Sequence, residues 1–151
     1  MRITKYKALI VKDSAINYES KHGQGDAYAT SPELVGDVLR ELFHADKLPN
    51  EQMWEVCINA KGRVVGAFEL ATGTATQCVC DVAAVVRNAL LCGAYSVILA
   101  HNHPSGDSTP SREDISTTDR VKNALKIVGL SLVDHLIIGD GDYSMREHGL
   151  A

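Results

Sequence analysis

The tightest constraint in this chain is the passage from Val97-Ile98-Leu99-Ala100 into His101-Asn102-His103-Pro104-Ser105-Gly106. Four apolar residues run without alternation, as they do in a strand covered on both faces. Such a strand needs layers of structure on each side of its sheet. Proline and glycine then break the strand. A segment of helical periodicity follows Pro110-Ser111-Arg112. The chain must therefore fold as strand, tight loop and helix start, with two histidines at the strand's exit and Asp114 in the first helical turn.

The other elements follow from punctuation and period. Ala8-Leu9-Ile10-Val11 is a candidate edge strand, and residues 17–30 read as a loop or irregular arm. Ser31-Pro32-Glu33 is a helix start, a capping residue followed by proline at the first helical position. That helix is expected to reach about Phe43, with Leu34, Val38, Leu42 and either Val35 or Leu39 inward. Met53 to Ile58 and Arg63 to Leu70 flank the turn Asn59–Gly62 as a β-hairpin. Residues 72–76 read as a loop. Asp81 to Cys92 is a second helix, with Val82, Val85, Val86, Ala89 and Leu90 inward and Gly93 as its stop. The central strand spans Tyr95 to Ala100. A third helix runs from Arg112 to Val128, with Ile115, Val121, Leu125 and Val128 inward. Leu130 to Ile138 is a strand, Gly139 to Asp142 a tight turn, and Tyr143-Ser144-Met145 a last short strand. This order lacks the regular alternation of a doubly wound sheet. It fits an α/β sandwich, a mixed, hairpin-containing β-sheet between helices.

A chain of 151 residues suits one domain with a proper core. Residues 31–151 are expected to form it, with residues 1–30 as an N-terminal extension. No apolar run reaches the roughly 18 residues that span a membrane, and the first residues do not read as a signal peptide. A cytoplasmic location is expected. The formal charge of −4 gives no basic excess, so direct DNA binding is not expected. Cys57 and Cys92 lie in apolar segments, where a reduced cysteine behaves as a small hydrophobe. Cys78-Val79-Cys80 is a C-x-C pair, not the C-x-x-C of redox motifs or zinc ribbons.

His101 and His103 stand at i and i+2, so on extended chain they point to one side and Asn102 to the other. Asp114 sits near a helix start, from which its carboxylate reaches back. Two imidazoles and a carboxylate suit a catalytic zinc, which keeps a position for water. A rival reading makes Ser111-x-x-Asp114 a capping box, and spacing leaves both open. A carboxylate that ligates zinc is not expected also to close that box. His135, in an apolar strand, reads as a satisfied core histidine or as a partner of a ligating one. Trp54 reads as a core or hairpin-face residue, and His22, His44 and His148 are assigned nothing.

His101-x-His103, seven residues, then Ser111-x-x-Asp114 resembles the JAMM (MPN-plus) metalloprotease pattern without gap or insertion. More closely, His101-Asn102-His103-Pro104-Ser105-Gly106 with Pro110-Ser111 and Asp114 is similar to the RadC family. Val133-Asp134-His135-Leu136-Ile137-Ile138-Gly139, Tyr143-Ser144 and Glu147-x-Gly149 extend the resemblance over roughly residues 31–150.

The resemblance implies an MPN/JAB (cytidine deaminase-like) architecture with His101, His103 and Asp114 as Zn²⁺ ligands. It implies a general-base glutamate on an upstream strand. Glu51 falls there, with Glu55 the rival four residues on and on the same side of the pleat if no bulge intervenes. It implies that Ser111 helps stabilise the oxyanion of the tetrahedral intermediate. The implied activity is zinc-dependent hydrolysis of a peptide or isopeptide bond in a peptide or protein substrate. Glu51 would take a proton from zinc-activated water and return it to the leaving amine. Substrate preference would rest on loops 71–80 and 104–110. The alternatives are a non-catalytic MPN-like interaction module and an accessory role in DNA repair or processing. A homodimer is left open.

Two departures stand out. RadC-like sequences carry Pro-Arg near the start of the helix before the central strand, where this chain has Asp81-Val82-Ala83. They also carry an N-terminal helix-hairpin-helix module, for which these 151 residues have no room. A stand-alone catalytic-type domain is the expectation.

Overall fold

The structure is a computed structural model that describes residues 19–20, 23–24, 29, 31–74 and 79–151. The candidate strand at residues 8–11, His22 and Cys78 lie outside the described residues. In order come β1 (Glu19–Ser20), β2 (Gly23–Gln24), α1 (Pro32–Phe43), β3 (Gln52–Ile58), β4 (Val64–Thr72), α2 (Val82–Leu91), β5 (Ser96–Asn102), α3 (Arg112–Ile127), β6 (Ser131–Ile138) and β7 (Tyr143–Ser144). β1 and β2 pair antiparallel, where a loop or irregular arm was expected. The other five strands form one mixed sheet in the order β4-β3-β5-β6-β7. β5 and β6 are parallel, joined by α3 as the crossover, and the remaining pairs are antiparallel.

The uninterrupted apolar run of β5 is explained by burial on both faces. Ile98 and Ala100 pack with Trp54, Val56, Leu136 and Ile138 under Val35 and Leu39 of α1. Val97 and Leu99 pack on the other face with Met53 and Cys57, beneath Val85 and Ala89 of α2 and Val121 and Leu125 of α3. The sheet thus lies between α1 on one side and α2 with α3 on the other. Each valine, leucine, isoleucine or methionine fully buried this way contributes roughly 1.5–3 kcal/mol. Trp54 is fully buried against Phe43, with ring centroids 6.0 Å apart, so it is a core residue. Its Nε1 lacks a hydrogen-bond partner among the described residues.

Three edges of the expected pattern move. β4 continues to Thr72 and β5 to Asn102, because pairing with β3 and β6 carries each strand past its apolar residues. Tyr95 falls outside β5 and is exposed. Leu90 and Val128, expected inward, are 54% and 40% exposed. α2 is apolar on nearly every side, so composition cannot choose its buried face, and Val128 lies beyond the last turn of α3. In α1 the buried stripe is Val35, Gly36, Val38 and Leu39, with Leu34 and Leu42 only half-buried.

The loop after β5 rests on the turn after β6. His103 N–H donates to Ile138 O at 2.9 Å, and Asp140 N–H donates to Gly106 O at 2.9 Å. A Cβ at Gly139 would stand 2.5 Å from Gly106 O, so glycine is what lets the two backbones touch. Arg40 of α1 holds the same turn through Asp142, with Nη1–Oδ2 at 2.8 Å. Asp134 ties β6 to β7 by accepting from Ser144 Oγ–H and Arg146 N–H.

Candidate metal centre

β5 carries His101 to its last turn of pleat and releases the chain just before His103. α3 starts at Arg112 with Ser111 as its cap and brings Asp114 to the same place. One donor atom from each of His101, His103 and Asp114 can be chosen so that all lie within 4.8 Å of one another. His101 Nε2 and His103 Nε2 are 3.0 Å apart. Asp114 Oδ1 is 3.2 Å from His101 Nε2, and Oδ2 is 3.7 Å from His103 Nε2. A tetrahedral ion with ligands at 2.0–2.1 Å separates its donors by about 3.3 Å. The three side chains fit such an ion.

Asp114 closes the capping box that was the rival reading of Ser111-x-x-Asp114. Ser111 Oγ accepts from Asp114 N–H at 3.1 Å, and Asp114 Oδ2 accepts from Ser111 N–H at 2.7 Å. A carboxylate has two oxygens, and the box occupies Oδ2. Oδ1 is left facing His101. Ser111 Oγ–H itself donates to Asp114 Oδ2 at 2.8 Å.

The hydrogen bonds around the histidines fix which nitrogen faces the centre. His103 Nδ1 lies 2.6 Å from the carbonyl oxygen of Asp107, which can only accept. Nδ1 therefore carries a proton, and Nε2 has the lone pair unless a second proton joins it. His101 Nδ1 is 2.8 Å from His135 Nε2, deep in the interior. Two imidazole nitrogens and a carboxylate oxygen then converge on one point. Their lone pairs repel there unless a cation, a proton or a metal ion, sits among them.

The titration tendencies agree. Burial works to raise the Asp114 pKa, but hydrogen bonds with His101 and His103 outweigh it and hold the carboxyl well below the ordinary carboxylate range. The Asp114 carboxylate raises the pKa of His103. Burial pushes His135 well below its ordinary value.

Glu51 sits at the strand entry, half-buried, and burial raises its pKa while His101 and His103 draw it down. Its main chain is held on both sides: N–H donates to Thr74 O and its carbonyl accepts from Gly73 N–H, each at 2.8 Å. Glu55 is elsewhere. It pairs with Leu99, is fully buried, and accepts from Asn88 Nδ2 at 3.1 Å and from the Cys57 thiol at 3.4 Å. Burial pushes Glu55 up to about 7, and none of the three clustered residues acts on it. Of the two glutamates, Glu51 is the one whose proton affinity responds to the charges of the cluster. Asp81, where RadC-like sequences carry Pro-Arg, caps α2 by accepting from Ala83 N–H at 3.0 Å.

Two supporting residues escaped the sequence. Asn102 does point away from the centre, as alternation requires. There its Oδ1 accepts from Gln52 N–H at 2.7 Å and its Nδ2 donates to Asn50 O at 3.1 Å, gripping the chain on either side of Glu51. Thr118 occupies the buried stripe of α3 with Val121 and Leu125 and reaches His135 Nδ1 at 2.7 Å. A polar residue at an apolar-stripe position, and an asparagine ending a buried strand, were the available signals.

A mixed sheet between helices, whose central parallel strand ends in His-x-His opposite a helix-borne aspartate, defines a JAB/MPN-type domain. This chain belongs to the RadC-like JAB domain family, whose model matches residues 29–150. It is similar to a UPF0758 protein of Carboxydothermus hydrogenoformans, 37% identical over 145 residues, covering 95% of this chain and 63% of that protein. A UPF0758 protein of Rubrobacter xylanophilus is 39% identical over 126 residues, covering 83% and 55%. One from Symbiobacterium thermophilum is 44% identical over 101 residues, covering 66% and 43%. The chain spans about half the length of the curated relatives it matches. No helix among the described residues is long and apolar enough to cross a membrane.

Proposed function

We propose that this chain is a zinc-dependent hydrolase of a peptide or isopeptide bond, with His101, His103 and Asp114 holding the ion. The observation that supports this most is the convergence of two imidazole Nε2 atoms and Asp114 Oδ1 on one point. Bound there, Zn²⁺ would lower the pKa of a coordinated water towards 7 and polarise a carbonyl oxygen.

The chain's own residues do the rest. Glu51 accepts the proton of the attacking water and returns it to the leaving amine nitrogen. Its burial raises its proton affinity, which suits a group that must both take and give a proton near neutrality. Ser111 Oγ–H, resting on Asp114 Oδ2, turns by rotation about its C–O bond to donate to the substrate oxygen as negative charge builds there. Asp114 Oδ2 keeps its bond from Ser111 N–H during that turn. The same reading places the protein in the cytoplasm, where thiols stay reduced, with a peptide or protein as its substrate.

The test is metal content followed by hydrolysis of a peptide library. The purified chain should carry one zinc, which His101→Ala loses. Glu51→Gln should keep the zinc and lose at least about 100-fold in rate. A wild-type protein without affinity for zinc would sink the proposal. Zinc binding with no turnover of any peptide would favour the interaction-module reading instead.

A further inference from the structure

We infer that Thr118 and His135 are positioning residues that hold His101 as its Nδ1–H tautomer, so that its Nε2 lone pair faces the metal position. The inference rests on the metal reading above and is independent of the hydrolytic one.

The argument starts from an atom that has no proton to give. Asp114 carbonyl oxygen lies 2.7 Å from Thr118 Oγ1, one turn further along α3. Two oxygens at that distance need a proton between them, and the carbonyl has none. The single hydroxyl proton of Thr118 is therefore committed to Asp114. Met145 Sδ, at 3.4 Å from the same hydroxyl, is a second acceptor and supplies no proton.

Thr118 Oγ1 is then an acceptor towards His135 Nδ1, 2.7 Å away. His135 must carry its proton on Nδ1, which leaves a lone pair on Nε2. That lone pair lies 2.8 Å from His101 Nδ1, so His101 supplies the proton of this bond. With Nδ1 protonated, neutral His101 has its lone pair on Nε2, the atom 3.2 Å from Asp114 Oδ1 and 3.0 Å from His103 Nε2. Every bond in the relay has a fixed direction. It starts on the main chain of Asp114 and ends beside that residue's own carboxylate, so helix α3 orients both donors.

The relay is sealed. Thr118 and His135 are fully buried and His101 is 1% exposed. Water cannot replace a missing partner there, so an altered proton position is not repaired. Without the Thr118 hydroxyl, His135 Nδ1–H has no acceptor. His135 then gains by moving its proton to Nε2 and donating to His101 Nδ1. That places the His101 proton on Nε2, in the position a metal needs.

The test uses the whole chain and zinc alone. Histidine tautomers are read first from two-bond ¹H–¹⁵N spectra of the wild-type zinc complex. His135 should be the Nδ1–H tautomer, with His101 Nε2 on zinc and its Nδ1 protonated. An Nε2–H His135, or zinc on His101 Nδ1, overturns the inference, and no variant has to fold for that result. Zinc affinity is then measured by competition with a chromophoric chelator. Thr118→Val should bind zinc about 10- to 100-fold more weakly. Thr118→Ser, which restores the hydroxyl, should bind close to wild type. A packing role for Thr118 predicts the reverse order, since valine keeps the volume and serine leaves a gap. That reverse order, or equal affinities, overturns the relay while leaving the metal centre standing. A wild type that takes up no zinc removes the metal reading and the relay with it.

Discussion

The Asp114 carboxylate shows how one side chain serves two demands. Its Oδ2 closes the cap of α3, and its Oδ1 faces His101. Glu55 illustrates the opposite economy, an acid buried without a cation. Its pKa rises from an ordinary 4.5 to about 7, chiefly because burial disfavours the charge. The folded chain holds that proton more tightly than the unfolded one. The stability it contributes is complete below pH 4.5 and is lost as pH rises through 7. A tenfold change in proton affinity is worth about 1.4 kcal/mol, so the loss amounts to about 3 kcal/mol. Glu55→Gln should therefore unfold at higher denaturant than wild type at pH 8.5 and show no such gain at pH 4.5. Equal midpoints for the two proteins at pH 8.5 would refute the burial argument.

β5 owes its position to burial on both faces, and alternation divides the residues at and just past its end. His101 and His103 turn to one side, and Asn102 grips residues 50 and 52 on the other. Asn102→Leu removes both bonds and leaves Gln52 N–H and Asn50 O without them. It should cost about 2 kcal/mol in chemical denaturation. It should also lower kcat through displacement of Glu51, while zinc affinity stays near that of wild type. A parallel loss of zinc affinity would mean that Asn102 supports the ligands and not Glu51. The loop 103–110 and the turn 139–142 meet backbone to backbone. Gly139→Ala places a Cβ 2.5 Å from Gly106 O, which no rotamer change relieves. The loop must move, so zinc affinity should fall with little change in far-ultraviolet circular dichroism.

The sheet holds His101 and His135, α3 holds Asp114 and Thr118, and the loop between them holds His103. A metal ion held by His101, His103 and Asp114 would therefore tie β5, the loop after it and α3 together. A ligand that binds only the folded state stabilises it by RT ln(1 + [L]/Kd), about 2.7 kcal/mol at a hundredfold excess over Kd. Thermal unfolding of the chain should shift upward with added zinc and return with a chelator. His103→Ala should abolish the shift. An unchanged transition in wild type would show that the cluster does not bind zinc in the native state.

The sequence by itself determined the strand, loop and helix around the centre, the three clustered donors, and the serine that caps α3. These follow from local rules: alternation along a strand, proline and glycine as breaks, a cap three residues before an acid. The hairpin and the two-faced burial of β5 were legible for the same reason. Tertiary structure alone decided that Glu55 lies opposite Leu99, bonded to Asn88 and Cys57 and away from the centre, because that depends on the register of β3 against β5. It alone showed which face of α2 is buried, since apolar residues surround that helix, whereas the charged face of α1 already marked its outer side. It alone brought His135 of β6 and Thr118 of α3 to His101, from 34 and 17 residues away in sequence. No periodicity links positions on separate elements. Their meeting is fixed by how the helix crosses the sheet, and a proton's place on an imidazole is set by what that crossing puts beside it.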